Sequence, residues 1–348
     1  MQKMIKPKML KWGDTVAVVS LSSGMAGDEV YRHRYELGKR RLEEVFGLNV
    51  VAMPHALMGS DYVFNHPKAR AQDWMDAFAD PEINGIISCI GGDDTVRLLP
   101  HIDYDVIARN PKVFLGFSDT TVNHFMMRKA GVVSYYGPSI LAGFAENAAM
   151  HDYTVQHVRQ TLFERRGRID ILPSPAWTSE FLDWADASLN DTARKMNDDA
   201  RGHVVLQGGG EVSGVLLGGC ADVFPLFMGT DVWPQPDEWD GAILFLETSE
   251  ECPPPNYVRY TLRNMAAQGI IDRIAGVLFA KPMHEKYYDE YNEMLKDFFG
   301  REAGRPGLPV MANVSFGHNA PMCVLPCGVA AQINCGSRRL AIIEPPVE

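Results

Sequence analysis

Apolar and polar positions in the first half of the chain alternate between two periods. Short β-branched runs give way to longer stretches in which apolar side chains return every three or four positions, as in a parallel α/β unit. Thr15-Val16-Ala17-Val18-Val19-Ser20 reads as a buried strand opening into the small polar loop Ser20 to Gly27. A helical stretch through Tyr35 to Leu42 leads to a second strand at Asn49 to Met53. Ala69 to Asp80 predicts an amphipathic helix with Trp74, Ala77 and Phe78 on one face, and Gly85 to Ile90 a third strand. Val113 to Gly116 is a fourth strand, followed by a helix whose Val122, Phe125, Met126 and Ala130 share a face and which closes on Gly131.

The pattern breaks between 165 and 207. The basic knot Arg165-Arg166-Gly167-Arg168, the segment Pro173 to Trp177 and the polar stretch Asp183 to Arg201 show little periodicity. This reads as an interdomain connection, and ordered loops of such length usually serve as lids or binding segments. Gly208 to Gly219 then opens a second, glycine-rich α/β region. The expected division of the 348 residues is 1–165, 166–207 and 208–348. Length agrees, because single cores stop growing at roughly 250–300 residues.

Composition narrows the function. Lys and Arg number 33 against 44 Asp and Glu, a net charge of −11, which argues against a nucleic-acid polymer as partner. An apolar content of 46% with 10% aromatics is that of a folded chain. Met1 to Lys11 carries four lysines without an apolar core after them, so no secretory signal is expected. The longest apolar runs, Ala242 to Leu246 and Ile274 to Ala280, fall far short of the roughly 20 residues that span a bilayer. A cytoplasmic protein without a membrane partner is the expectation. The six cysteines lack zinc-type spacing and read as reduced thiols, with Cys323 and Cys327 the one pair near enough for a metal or disulfide. No metal and no cofactor is expected.

Candidate chemistry lies at strand ends. In Gly116-Phe117-Ser118-Asp119-Thr120, a serine between a strand and a helix start has an exposed hydroxyl next to amide donors, as an acyl-transfer nucleophile needs. The plain alternative is that Ser118 or Asp119 caps the helix. Thr120 replaces the last glycine of the hydrolase pattern G-x-S-x-G. In Ser88-Cys89-Ile90-Gly91-Gly92-Asp93-Asp94 the glycine pair lets backbone N–H groups approach a ligand, and Gly92 with Asp119 could supply an oxyanion hole. No dinucleotide fingerprint follows, and the segment is otherwise a turn before a helix at Thr95 to Leu99. Glu247, ending the strand Ala242 to Leu246, could orient an imidazole, and His318 in the loop Phe316-Gly317-His318-Asn319 could shuttle protons.

Together these segments resemble the serine LD-carboxypeptidase family, nearest its branch of microcin C self-immunity proteins. The strings that carry the resemblance are Leu10 to Ser20, Ile90-Gly91-Gly92, Gly116 to Thr120, Gly214 to Cys220, Leu244 to Glu247, Phe316-Gly317-His318 and Leu325 to Gly328. The resemblance implies a Ser-Glu-His triad at Ser118, Glu247 and His318. It also implies a Rossmann- or flavodoxin-like N-terminal domain, a C-terminal α/β domain with a β-rich, swivelling-type core, and a homodimer. Gly91 and Asp93 then fall beside the substrate.

Murein-cleaving members carry an arginine before the glycine pair and an aromatic residue after it; here these are Ile90 and Asp93. The departure favours the self-immunity branch, whose members hydrolyse the amide bond of peptidyl- or aminoacyl-nucleotides and stack an aromatic side chain on the base. Trp177 and Trp184 are both candidates for that stack. The acidic turn Glu250-Glu251, with Glu251 expected at the substrate, favours a neutral or cationic group there. The alternatives are a murein tetrapeptide LD-carboxypeptidase in cell-wall recycling and a non-catalytic nucleotide or peptide binder.

Overall fold

The computed structural model describes residues 4–348, so Met1 to Lys3 of the lysine-bearing N-terminus lie outside the described residues. Six strands form the first sheet, in the order Leu325–Cys327, Ser134–Tyr136, Val113–Gly116, Gly85–Ser88, Thr15–Val19 and Asn49–Ala52. The last five run parallel, and in chain order they stand 2-1-3-4-5, the flavodoxin-like arrangement. In such sheets the crevice opens where the strand order reverses, between the loops after Thr15–Val19 and Gly85–Ser88. These loops are Ser20 to Gly27 and the Gly91-Gly92 turn, and they touch: Ser23 N–H donates to Gly91 O at 3.0 Å.

The chain's own patterning explains the helices. Arg32–Phe46 ends on Gly47 in the left-handed region, Pro67–Ala79 starts on the proline that suits a first turn, and Thr121–Lys129 buries Val122, Phe125 and Met126. The helix expected at Thr95 to Leu99 is a 3₁₀ segment, Thr95–His101, with Pro100 inside it. Proline has no N–H to continue an α-helical ladder.

A second sheet of eight strands is mixed. Glu211–Cys220, Ile243–Glu247, Gly276–Ala280 and Val310–Val314 run parallel at its centre, flanked by antiparallel strands on both sides. Two of the flanking strands, Ile169–Ile171 and Val204–Gln207, come from the 166–207 segment. Between them the chain folds a small hairpin, Ala176–Trp177 against Asn197–Asp198. The halves are joined by the strand Leu325–Cys327, which crosses back to the first sheet, and by an aromatic contact. There Phe125 stacks on Trp233 at 5.7 Å and packs against Phe227 at 4.9 Å. All six cysteines are free thiols. Among the described residues no helix is long and apolar enough to cross a membrane.

Candidate active site

Ser118 sits on a strained turn. The strand Val113–Gly116 ends just before it, its φ is 63°, and the helical turns of Ser118–Thr120 and Thr121–Lys129 follow at once. A non-glycine residue in that region costs on the order of 1–3 kcal/mol, which the surrounding contacts hold in place. The Ser118 N–H donates to Tyr136 Oη at 3.0 Å, and the Ser118 carbonyl accepts from Thr121 Oγ1 at 2.7 Å. Gly91 faces this turn so closely that a Cβ on it would stand 2.8 Å from Ser118 Cβ and 3.2 Å from the Asp119 amide nitrogen. Only glycine allows that approach.

Glu247 and His318 come from the second sheet. Glu247 ends the strand Ile243–Glu247 and is 1% exposed. Its Oε1 accepts from the Tyr136 hydroxyl at 2.5 Å, and its Oε2 accepts from His318 Nδ1 at 2.6 Å and from the His318 backbone N–H at 3.3 Å. Gly317 makes this possible, because with φ 82° a Cβ there would lie 2.4 Å from Glu247 Oε2. On the other side of the ring, Nε2 is 3.2 Å from Ser118 Oγ and 3.0 Å from Glu250 Oε2. Burial pulls the imidazolium down, but the Glu247 and Glu250 carboxylates outweigh it and raise His318 to about 10. The hydrogen bond from that ring brings Glu250 down to about 2.

A cleft of about 390 Å³ opens over the Ser118 hydroxyl. Of the residues expected from sequence, Gly91, Gly92, Ser118, His318 and Trp184 line it, while Glu247 stands behind His318. Asp119 turns its buried carboxylate away to accept the Thr95 N–H at 2.9 Å, which leaves only its backbone near Ser118. Asp93, Trp177 and Glu251 do not line the cleft. Asp93 points to solvent, and the Trp177 ring, held in the small hairpin, is covered by the Lys281 ammonium at 5.1 Å. Glu250 lines the cleft in place of Glu251.

Sequence reasoning missed three features. Tyr136 bridges the Ser118 turn to Glu247, and no local motif marks it. Arg34, 3% exposed, lays its guanidinium on Trp184 at 4.3 Å while donating to Leu141 O and Asn147 Oδ1. Glu146 pairs with Arg194 and with His151; burial would raise its carboxyl, but these partners outweigh that and bring it to about 2. Cys220, Glu247 and His318 bring metal-ligand atoms within 4.8 Å of one another. The set is a poor cage, since both Glu247 oxygens already accept hydrogen bonds and burial raises the Cys220 thiol well above its ordinary range.

Similarity to known proteins spans both halves of the chain. Residues 16–137 match the LD-carboxypeptidase N-terminal domain and residues 213–333 the LD-carboxypeptidase C-terminal domain. An MccF-like protein from Streptococcus pneumoniae, solved in complex with AMP, is 35% identical with a TM-score of 0.86, over 95% of this chain and 98% of that one. An MccF-like protein from Bacillus anthracis is 27% identical with a TM-score of 0.83, over 98% and 99% of the two chains. The microcin C7 self-immunity protein MccF of Escherichia coli is 27% identical over 80% of this chain and 78% of its own. The chain therefore belongs to the LD-carboxypeptidase family and is a serine-type carboxypeptidase.

Proposed function

We propose that Ser118, Glu247 and His318 form the catalytic triad of a carboxypeptidase that hydrolyses the amide bond of aminoacyl- or peptidyl-nucleotide compounds. The observation that carries this reading is the relay of contacts from Ser118 Oγ to His318 Nε2, 3.2 Å, and from Nδ1 to Glu247, 2.6 Å. In its neutral form His318 takes the Ser118 proton, and Glu247 holds the tautomer and stabilises the imidazolium that forms. The Ser118 oxygen attacks the carbonyl carbon, and the backbone N–H groups of Gly92 and Asp119 receive the oxyanion, each donor lowering the barrier by about 3–4 kcal/mol. His318 returns the proton to the leaving nitrogen, and water then hydrolyses the acyl-enzyme.

Trp184 is the candidate base-stacking residue, because it lines the cleft with Arg34 fixing its ring. Support for a nucleotide comes from the AMP complex of the pneumococcal relative. The role follows as detoxification of such compounds by a cytoplasmic homodimer, a setting consistent with its free thiols. Within the units 1–165, 166–207 and 208–348, the nucleophile belongs to the first and its two partners to the last.

The test is covalent. A fluorophosphonate is expected to label Ser118 in the wild type and to be lost in Ser118→Ala and His318→Ala, along with hydrolysis of an aminoacyl sulfamoyl-adenosine. Retained hydrolysis in Ser118→Ala overturns the assignment, and release of D-alanine from murein tetrapeptide in preference to the nucleotide substrate moves the protein to cell-wall recycling.

A further inference from the structure

The loop after Ile243–Glu247 places a second carboxylate on the His318 ring. Glu250 Oε2 is 3.0 Å from Nε2, the same nitrogen that stands 3.2 Å from Ser118 Oγ. A ring nitrogen holds either a proton or a lone pair. While Nε2–H donates to Glu250, it has no lone pair with which to take the serine proton.

The position of Glu250 is built. Ser249, just before it, donates its N–H to Asp222 Oδ2 at 2.9 Å and its hydroxyl to the same oxygen, and accepts the Glu251 N–H at 3.2 Å. Cys252 then turns the chain with φ 48°. The Glu250 side chain itself is 62% exposed, lines the cleft, and among the described residues ion-pairs with His318 alone. The backbone is fixed while the carboxylate is free to swing to another cation.

We propose that Glu250 is a substrate-operated latch on the general base: it holds the Nε2 proton of His318 until a cationic group beside the scissile carbonyl draws it away. This rests on the triad reading above. On release the Nε2 proton passes to solvent, leaving Nδ1–H on Glu247 and a lone pair toward Ser118. The cation's identity follows from bond counting. When Ser118 Oγ meets a carbonyl carbon, the α-nitrogen of the same residue is two bonds away, within reach of a carboxylate that lies 3.0 Å from Nε2. A free α-ammonium is cationic at neutral pH, whereas an acylated α-nitrogen is neutral. The latch therefore selects aminoacyl compounds with a free amine over N-acylated peptides.

The carboxylates beside the ring favour its charged form. Glu247 and Tyr136 stand on the Nδ1 side, Cys220 Sγ is within 4.8 Å of the Glu247–His318 pair, and Asp222, Glu250 and Cys252 face it from the loops after the two central strands. Phe117 presents its ring edge-on at 5.0 Å.

The test uses the full-length protein, an uncharged fluorophosphonate, and alanyl sulfamoyl-adenosine paired with its N-acetyl derivative. Wild type is expected to label slowly at pH 7 and faster toward pH 10. Glu250→Gln is expected to label roughly ten-fold or more faster at pH 7, with its midpoint lowered by about one unit or more. Wild type should turn over the free amine with a kcat roughly ten-fold above the N-acetyl compound, and Glu250→Gln should bring that ratio near one by raising the N-acetyl rate. Equal midpoints in the two proteins, or a preference expressed in KM alone, overturn the latch. Labelling of His318→Ala at the wild-type rate overturns instead the triad reading beneath it.

Discussion

Tyr136 does with one hydroxyl what no neighbouring residue in sequence could do. It accepts the Ser118 N–H at 3.0 Å and donates to Glu247 at 2.5 Å, so it ties the strained Ser118 turn to the acid of the proposed triad. Tyr136→Phe keeps the ring, which packs edge-on against Phe245 at 5.4 Å, but leaves the half-buried Ser118 N–H and a buried Glu247 oxygen each short of a partner. An unmet buried group costs about 1–3 kcal/mol. The expected outcome is a lower Tm together with a kcat reduced on the order of 10- to 100-fold at little change in KM, since misplacement by a fraction of an ångström weakens attack more than binding. An unaltered kcat would confine Tyr136 to a structural role.

The same residue shows where sequence stops being legible. Ser118, Glu247 and His318 stand at strand ends or in a glycine-marked loop, positions that advertise chemistry, and the structure brings them together. Tyr136 sits inside the run Ser134–Tyr136, where a tyrosine reads as strand packing, and its partner Glu247 is 111 residues away. Likewise, which of Glu250 and Glu251 faces the cleft is decided by turn dihedrals, and which of Trp177 and Trp184 by a two-residue hairpin. Such choices rest on backbone geometry that side-chain pattern does not encode.

Among the elements, the parallel strands were readable because strands covered on both faces are continuous apolar runs. Their 2-1-3-4-5 order was not, as alternation reports which segments are strands but not which neighbours they take. Nor was the crossing strand Leu325–Cys327, whose pairing with Ser134–Tyr136 closes only in three dimensions. The helix Thr121–Lys129 links the two halves: its Phe125 is fully buried against Phe224, Phe227 and Trp233 from the second half. Phe125→Ala is expected to cost about 3–5 kcal/mol of stability, because rigid aromatic neighbours leave a cavity that cannot collapse. Thermal unfolding would register this as a lowered Tm, and a shift no larger than that of a surface substitution would show that the halves repack.

Across the whole molecule, charge is distributed unevenly, and one proton connects the site to the fold. The chain carries a net −11, yet the cleft lining is nearly balanced, with Arg34 and Arg194 set against Glu146, Glu180 and Glu250, while the surface repels a polyanion. His318 joins the two halves through Ser118 and Glu247, and its carboxylate partners raise it from 6.5 to about 10 against the pull of burial. A group raised on folding contributes stability that is fully present below its ordinary value and is lost as pH rises through its folded value. Glu250 is lowered to about 2, so its own contribution is lost only on acidification and does not enter this window. Wild-type Tm should therefore fall between about pH 7 and 10 more steeply than that of His318→Gln, which has no such proton to release. Over the same range, labelling of the enzyme should rise, since loss of that proton frees the proposed base. Opposite slopes of stability and reactivity are thus the signature of one titrating ring, and superimposable Tm profiles for the two proteins would mean that His318 is already neutral at pH 7.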